Sequence, residues 1–265
     1  MSAATLAPPL GARRFVLATD LDGTFLGGTA VERNILYRWI EAHRETVGLI
    51  FVTGRDPAFI AGLCGGGDAP WPDFVVGDVG TSIAEVDRNA HAPIRPIEAL
   101  EAEIAERWSN AGPRVRAALD GHPGLTLQAT EFRFRVSYDM DPARFDPGAV
   151  DTVAALGLDH LISNNQFFDV LPRGVSKGPT LRRLLDHLGV DAHRVLAAGD
   201  TLNDLSMLGC GLPAVAVGGA EPALLERLAG RADVYAAQAI GAAGIVEAIR
   251  HFGLHPVPEG DADAL

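Results

Sequence analysis

Five short stretches of the chain, residues 15–19, 48–52, 74–77, 195–198 and 214–217, are apolar almost throughout, with a sixth at 233–236. A half-exposed strand alternates apolar and polar side chains. A run without alternation is what a parallel strand covered on both faces requires. Stretches with helical spacing lie between these runs, at 31–44, 57–63, 179–188, 202–208, 222–228 and 242–251. Pro57, Pro179 and Pro222 fall where a first helical turn would begin, the place in a helix where a missing N–H costs least. Strand and helix in alternation predict an α/β fold: a Rossmann-like, doubly wound parallel sheet.

The middle of the chain breaks that alternation. The spacing there predicts a helix over 97–119, strands over 125–128 and 132–138, a helix over 147–155, and strands over 160–163 and 167–171. "RFRVSYD" alternates by twos, the pattern of an antiparallel strand with one face exposed. The order αββαββ describes a small α+β domain inserted into the core. The expected division is 1–83 with 172–254 as core and 84–171 as insertion, with hinges near 82–85 and 172–176. The acidic, proline-bearing residues 255–265 read as a disordered tail.

Composition excludes several function classes. A net charge of −12 over 265 residues argues against a nucleic-acid surface, though a few local cations or a metal can still receive an anionic substrate. Cys64 and Cys210 form neither a disulfide framework nor a CxxC pair. No apolar run reaches the length of a membrane span. In "MSAATLAPPLGARR" the arginines follow a proline-broken apolar stretch, the wrong order for a signal peptide. The expectation is a cytoplasmic protein whose partner is a small molecule, with neither nucleic acid nor membrane involved.

In an open parallel sheet, functional groups gather beyond the carboxyl ends of the strands. "FVLATDLDGTFL" puts Asp20 and Asp22 at such an end, "FVTGR" puts Thr53 and Gly54 at another, and "AAGDTLND" puts Asp200, Asn203 and Asp204 at a third. "GVSKGPTL" adds Lys177 at a helix start. Clustered aspartates with oxygen-only neighbours suit Mg²⁺, a hard ion that takes one or two carboxylates plus a phosphate. Lys177, the Thr53 hydroxyl and the backbone N–H groups at Gly23 and Gly54 suit phosphate oxygens. One ionised aspartate can attack phosphorus, and a second, two residues on, can protonate the leaving oxygen and then deprotonate water.

Taken singly these features are weak. A DxD at a strand end is more often a turn, and a lone Thr-Gly is a turn as well. Lys177 opposes the dipole of the helix it opens, an arrangement that a phosphate partner would explain. The glycines at 65–67 read as a loop, there is no GxxxxGK[ST], and the scattered histidines imply no zinc site.

Together, "DLDGT", "VTGR", "SKG" and "GDTLND" resemble, in order, the four motifs of the haloacid dehalogenase-type (HAD) phosphatases. The insertion between the second and third is similar to the C2B cap of that superfamily. "GDVGTSI" and "FFDVLPRGVSKG" are similar to the branch that acts on sucrose phosphate and mannosylfructose phosphate. The resemblance implies Asp20 as nucleophile and Mg²⁺ ligand, Asp22 as acid/base with its carbonyl on the metal, and Thr53 and Lys177 on the phosphoryl group. It also implies Asp200 as a second carboxylate ligand, with Asp204 and Asn203 fixing metal waters or Lys177, and it leaves Arg55 without a role.

The implied reaction is hydrolysis of a sugar or disaccharide phosphate through an aspartyl-phosphate. The alternatives are a phosphomutase on the same scaffold and a catalytically silent sugar-phosphate-binding module. For the sugar, Arg133, Arg135, Asn164, Asn165 and Gln166 are the candidate partners. By alternation Arg133 and Arg135 share a face with Glu131, so that Phe132, Phe134 and Val136 pack on the cap helices.

Overall fold

The computed structural model describes residues 7–257. β1 (Phe15–Thr19), α1 (Ala30–Ala42), β2 (Val47–Val52), α2 (Pro57–Gly65) and β3 (Phe74–Gly77) form the first half of the large sheet. α1 opens on a reciprocal cap: the Glu32 N–H donates to the Thr29 hydroxyl and the Thr29 N–H donates to the Glu32 carboxylate. This satisfies two donors that a helix start otherwise leaves unpaired. Asp56 caps α2 by accepting from the Phe59 N–H, and Pro57 follows at the first helical position.

The chain then turns back through β4 (Ser82–Val86) and β5 (Ile94–Pro96), each antiparallel to its neighbour. α3 (Glu98–Trp108), α4 (Gly112–Ala118), β6 (Leu125–Leu127), β7 (Val136–Met140), α5 (Gly148–Ala155), β8 (Asp159–Ser163) and β9 (Phe167–Leu171) follow. The second half of the core is α6 (Lys177–Leu188), β10 (Val195–Gly199), α7 (Leu205–Leu208), β11 (Ala214–Gly218), α8 (Pro222–Leu228), β12 (Val234–Ile240) and α9 (Gly241–His251).

The large sheet runs β12-β11-β10-β1-β2-β3-β4-β5, and it is parallel from β12 to β3. β1 pairs with β2 on one side and β10 on the other, so the strand order reverses beside β1. That reversal opens a crevice at the carboxyl edge. Phe15, Leu17, Leu49 and Phe51 pack on one face with Trp39, Ile245 and Ile249. Val16, Ala18, Ile50 and Val52 pack on the other with Leu181, Leu184 and Leu208. Both sides of β1, β2 and β10 are therefore buried, which is why their runs do not alternate. Each large apolar side chain so buried is worth about 1.5–3 kcal/mol.

A second, antiparallel sheet runs β6-β7-β9-β8. Val136, Tyr138, Phe168 and Val170 pack there against Val115 and Leu119 near α4 and Ala149 and Val153 of α5.

Several expectations need correction. The helix over 97–119 is two helices: Ser109 and Asn110 take left-handed backbone angles, and Pro113 sits in the first turn of α4. α3 lies mainly against the large sheet, with Ile104 in its core and the Ile83 N–H donating to the Glu101 carboxylate at 2.9 Å. The αββαββ order thus starts at α4. Residues 84–86 and 94–96 are strands of the large sheet, so the chain leaves it after Pro96 and the hinge expected at 82–85 is a paired strand.

The strand expected at 132–138 begins only at Val136, and Phe132 lies under the Arg135 guanidinium rather than on a helix. Of the expected tail, residues 258–265 lie outside the described residues. His255 is buried against Phe15, Trp39 and His43, and Trp39 Nε1 donates to the Pro256 carbonyl at 3.1 Å.

Candidate active site

The reversal beside β1 places three of the expected segments at one point. Asp20 follows β1, and its N–H donates to the Ala198 carbonyl of β10 at 2.9 Å. The next residues form a wide turn in which the Phe25 N–H reaches back to the Asp20 carbonyl and the Leu26 N–H to the Leu21 carbonyl. Gly23 makes that turn possible. Its φ is +78°, and a Cβ there would sit 2.1 Å from Asp200 Oδ2. The turn also aims Thr24, whose hydroxyl donates to Asp200 Oδ1 at 2.7 Å.

Lys177 is the first residue of α6. A Cβ on Gly178 would lie 1.9 Å from the Ser206 carbonyl, so this glycine lets α6 press against α7. Lys177 is fully buried, and its Nζ donates to Asp20 Oδ1 and to Asp204 Oδ1, both at 2.6 Å. Asp204 Oδ2 accepts from the Asp200 and Thr201 N–H groups, each at 3.1 Å. Both oxygens of Asp204 are thus engaged by protein donors, and it serves to anchor Lys177 and the turn. The ammonium against the helix dipole is explained here by two carboxylates.

Asp20, Asp200 and Asp204 each offer an oxygen within 4.8 Å of the others. Burial pushes the Asp20 carboxyl up; Lys177 pulls it down, and Asp204 and Asp200 push it up again. Burial opposes the charge of Lys177, but Asp20 and Asp204 more than offset it and its pKa rises. Asp200 is pushed up to about 6, first by burial, with Thr24 lowering it and Asp204 raising it. Crowded carboxylates, Asp20 and Asp204 buried and Asp200 half-buried, with no histidine or cysteine among them, fit a hard divalent cation.

The Asp22 carboxylate stands apart from this cluster. It accepts from Arg55 Nε at 2.8 Å and from Arg55 Nη2 at 3.1 Å. Thr53 is fully buried, and its hydroxyl accepts the Arg55 N–H at 3.1 Å. Gly54 reaches the surface of the cleft where Thr53 does not. Asn203 also lines the cleft, and its Oδ1 is buried without a hydrogen-bond partner.

That cleft, about 390 Å³, lies between the rim of the large sheet and the four-stranded sheet. Its floor is Asp20, Asp22, Gly54, Arg55, Thr201 and Asn203, and its far wall is Gln128, Arg135, Ser163, Asn164, Phe167 and Asp169. Arg135 is 7% exposed. Its Nη1 donates to Asp169 Oδ1 at 3.2 Å and its Nη2 to the Gly54 carbonyl at 3.4 Å, with Asp78 at 3.7 Å. Ser137 also donates to Asp169. Burial raises the Asp169 carboxyl, opposed by Arg135 and Ser137. Asp78 and Val79 hold φ of 51° and 61°, and a β-branched residue in that region is a strained element of the cleft wall.

Of the five expected sugar partners, Arg135 and Asn164 line the cleft. Arg133 instead pairs with Glu101 at 2.8 Å, and Asn165 and Gln166 are exposed outside the lining. Sequence reasoning missed Thr24, Gln128, Ser163, Phe167 and Asp169. Thr24 sits inside "DLDGT", and Asp169 is a lone charge in an apolar strand, so both carried a signal.

A model of the sucrose-6F-phosphate phosphohydrolase family matches residues 13–253. The chain is 39% identical over 239 residues to the glucosylglycerol-phosphate synthase of Pseudomonas anguilliseptica, covering 90% of this chain and 31% of that protein. It is 32% identical over 264 residues to sucrose-phosphatase 1 of Nicotiana tabacum, covering 92% and 60%. With the mannosylfructose-phosphate phosphatase of Agrobacterium fabrum the identity is 28%, over 91% and 98%. The chain thus spans 31–60% of the length of the first three curated relatives it matches. Its fold is similar to the solved sucrose-phosphatase of Synechocystis in complex with sucrose and phosphate, at a TM-score of 0.81 and 25% identity over 91% of this chain and 98% of that one.

Proposed function

We propose that this chain, which belongs to the sucrose-6F-phosphate phosphohydrolase family, is a phosphatase that hydrolyses the phosphate ester of a sugar, with a disaccharide phosphate as the favoured class. The observation that carries this reading is the buried Lys177 clamped between Asp20 and Asp204 beneath the floor of a cleft whose other wall is polar. A cavity of about 390 Å³ is within the range of small-molecule sites.

The chemistry follows from the chain's own groups. Lys177 engages Asp20 Oδ1 and leaves Oδ2 to attack phosphorus. As that bond forms, the phosphorus–sugar oxygen bond breaks, and the departing oxygen takes a proton from Asp22. Water then attacks the aspartyl-phosphate while Asp22 accepts its proton, and phosphate leaves Asp20 as the free carboxylate. Lys177 and the N–H groups at Gly23 and Gly54 hold the phosphoryl oxygens, and the Thr53 hydroxyl, buried behind Gly54, fixes that turn through the Arg55 N–H. Asp20, Asp200 and the Asp22 carbonyl would hold Mg²⁺, with Asp204 and Asn203 behind them. Mg²⁺, when bound, neutralises the charge between carboxylates and phosphoryl oxygens. Arg135, Asp169, Ser163 and Asn164 are the groups within reach of sugar hydroxyls.

The test is phosphate release from a panel of phosphorylated mono- and disaccharides with Mg²⁺ present. Release from disaccharide phosphates in preference to monosaccharide phosphates supports the reading. Transfer of phosphate within the sugar, dependent on a bisphosphorylated activator, would replace it with a phosphomutase.

A further inference from the structure

We propose that Arg55 is a positioning residue for Asp22, holding its carboxylate toward the leaving sugar oxygen. This rests on the proton-transfer role given to Asp22 above. The pairing is bidentate: Arg55 Nε meets Asp22 Oδ2 at 2.8 Å and Nη2 meets Oδ1 at 3.1 Å. Both side chains line the cleft, about half exposed at 50% and 54%. A pair so exposed contributes little to folding. Its value is geometric, because a planar fork fixes the plane of the carboxylate where a single hydrogen bond would let it turn.

Arg55 is itself held from several sides. Its N–H donates to the Thr53 hydroxyl at 3.1 Å, and its carbonyl accepts from the Asp78 N–H at 3.3 Å. Its guanidinium lies 4.5 Å from the centre of the Phe59 ring on α2. The preceding residue, Gly54, accepts from Arg135 across the cleft at 3.4 Å. The fork is therefore fastened to the phosphate-side turn, to α2 and, through Gly54, to the far wall. The Asp22 carboxylate stands outside the cluster formed by Asp20, Asp200 and Asp204, and its hydrogen bonds among the described residues are the two from Arg55.

The two contacts differ in length, the one from Nε being the shorter, and together they hold both carboxylate oxygens in one plane at the cleft. Without Arg55 the same carboxyl group would turn through many orientations, few of them aimed at the departing oxygen.

Leaving-group dependence tests this. An alkyl sugar phosphate needs its leaving oxygen protonated, whereas p-nitrophenyl phosphate departs without help. Arg55→Ala is expected to lower kcat/KM on the sugar phosphate about 30-fold and on the aryl phosphate no more than about threefold. Arg55→Lys, which cannot form the fork, is expected to recover less than half of the sugar-phosphate loss on a logarithmic scale, and it carries the comparison if the alanine variant does not fold. In an Asp22→Asn background, removing Arg55 is expected to cost the sugar phosphate nothing further. Equal losses on both substrates, or the same loss in the Asp22→Asn background, would overturn the inference. A wild-type protein inactive on both substrates with Mg²⁺ would instead overturn the phosphatase reading.

Discussion

Lys177 and Arg135 are both buried cations, one beneath the floor of the cleft and one in its far wall, and they are paired in opposite ways. Lys177 is fully enclosed and meets two carboxylate oxygens at 2.6 Å each. Arg135 makes longer contacts, at 3.2 Å to Asp169, 3.4 Å to Gly54 and 3.7 Å to Asp78, and its Nε is buried without a partner. Around it Ser163 Oγ and Asp78 Oδ1 also lack hydrogen bonds. Native interiors seldom leave such groups unpaired unless a ligand or water completes them. The Lys177 clamp is a finished arrangement that fixes geometry for chemistry, while Asn203 Oδ1 on the same floor lacks a partner as the wall groups do. The wall keeps hydrogen-bonding capacity in reserve for whatever enters.

The most severe test of the floor is Asp20→Asn. The amide is a poor nucleophile, so turnover on any phosphate ester is expected to fall by about 10³-fold or more while the circular dichroism spectrum stays native. Substantial retained phosphate release would mean that the floor is not the reaction centre.

Stability should separate the two cations. Lys177→Met leaves Asp20 and Asp204 buried without their counter-charge and is expected to cost about 3–5 kcal/mol in urea unfolding. Arg135→Met, at a looser site, is expected to cost about 1–3 kcal/mol. Equal costs would erase the distinction between a completed clamp and an open wall.

Metal binding should also report on the floor alone. With Mg²⁺ at a hundred times its dissociation constant, the wild-type chain is expected to gain about 2.7 kcal/mol of stability. Thermal melting with and without EDTA reads this gain. Asp200→Ala should abolish it and Arg135→Met should leave it in place. A gain that depends on Arg135 would move the cation into the wall.

The smallest expected effect concerns pH. Asp78 is pushed up to about 6, chiefly by burial, with Arg135 acting against the rise. Its carboxyl carries a proton in the folded chain at pH values where the unfolded chain has lost it. Its contribution is therefore greatest below the unfolded value of 3.8 and falls as pH rises through 6. Asp78→Asn is expected to flatten stability over that window and to stabilise the chain by about 1–2 kcal/mol at pH 8. An unchanged pH profile would show that the wall around Arg135 is better paired than its distances indicate.

The legible part of this protein was local. Unalternating runs such as 15–19 and 195–198 report burial on both sides, because each residue of a strand between two helical layers faces a core. "DLDGT" and "GDTLND" report their site because the turn leaving a buried strand has one place to go, the carboxyl edge. Errors arose where a long-range contact outweighed local pattern. Alternation put Arg133 and Arg135 on one face, yet the strand starts at Val136. Arg133 goes to Glu101 of α3, while Arg135 goes to Asp169 and the cleft.

The sequence by itself determined the α/β class and the strand ends at which Asp20, Asp22, Gly54, Asp200 and Asn203 stand, since these depend on patterning within a few residues. The tertiary structure alone decided that β4 and β5 extend the large sheet, that His255 docks beside Trp39, and that Arg55 takes hold of Asp22 from 33 positions away. Each is a meeting of segments distant in sequence. No periodicity encodes such a meeting, because it depends on which surfaces remain open once the two layers of helices have closed on the sheet.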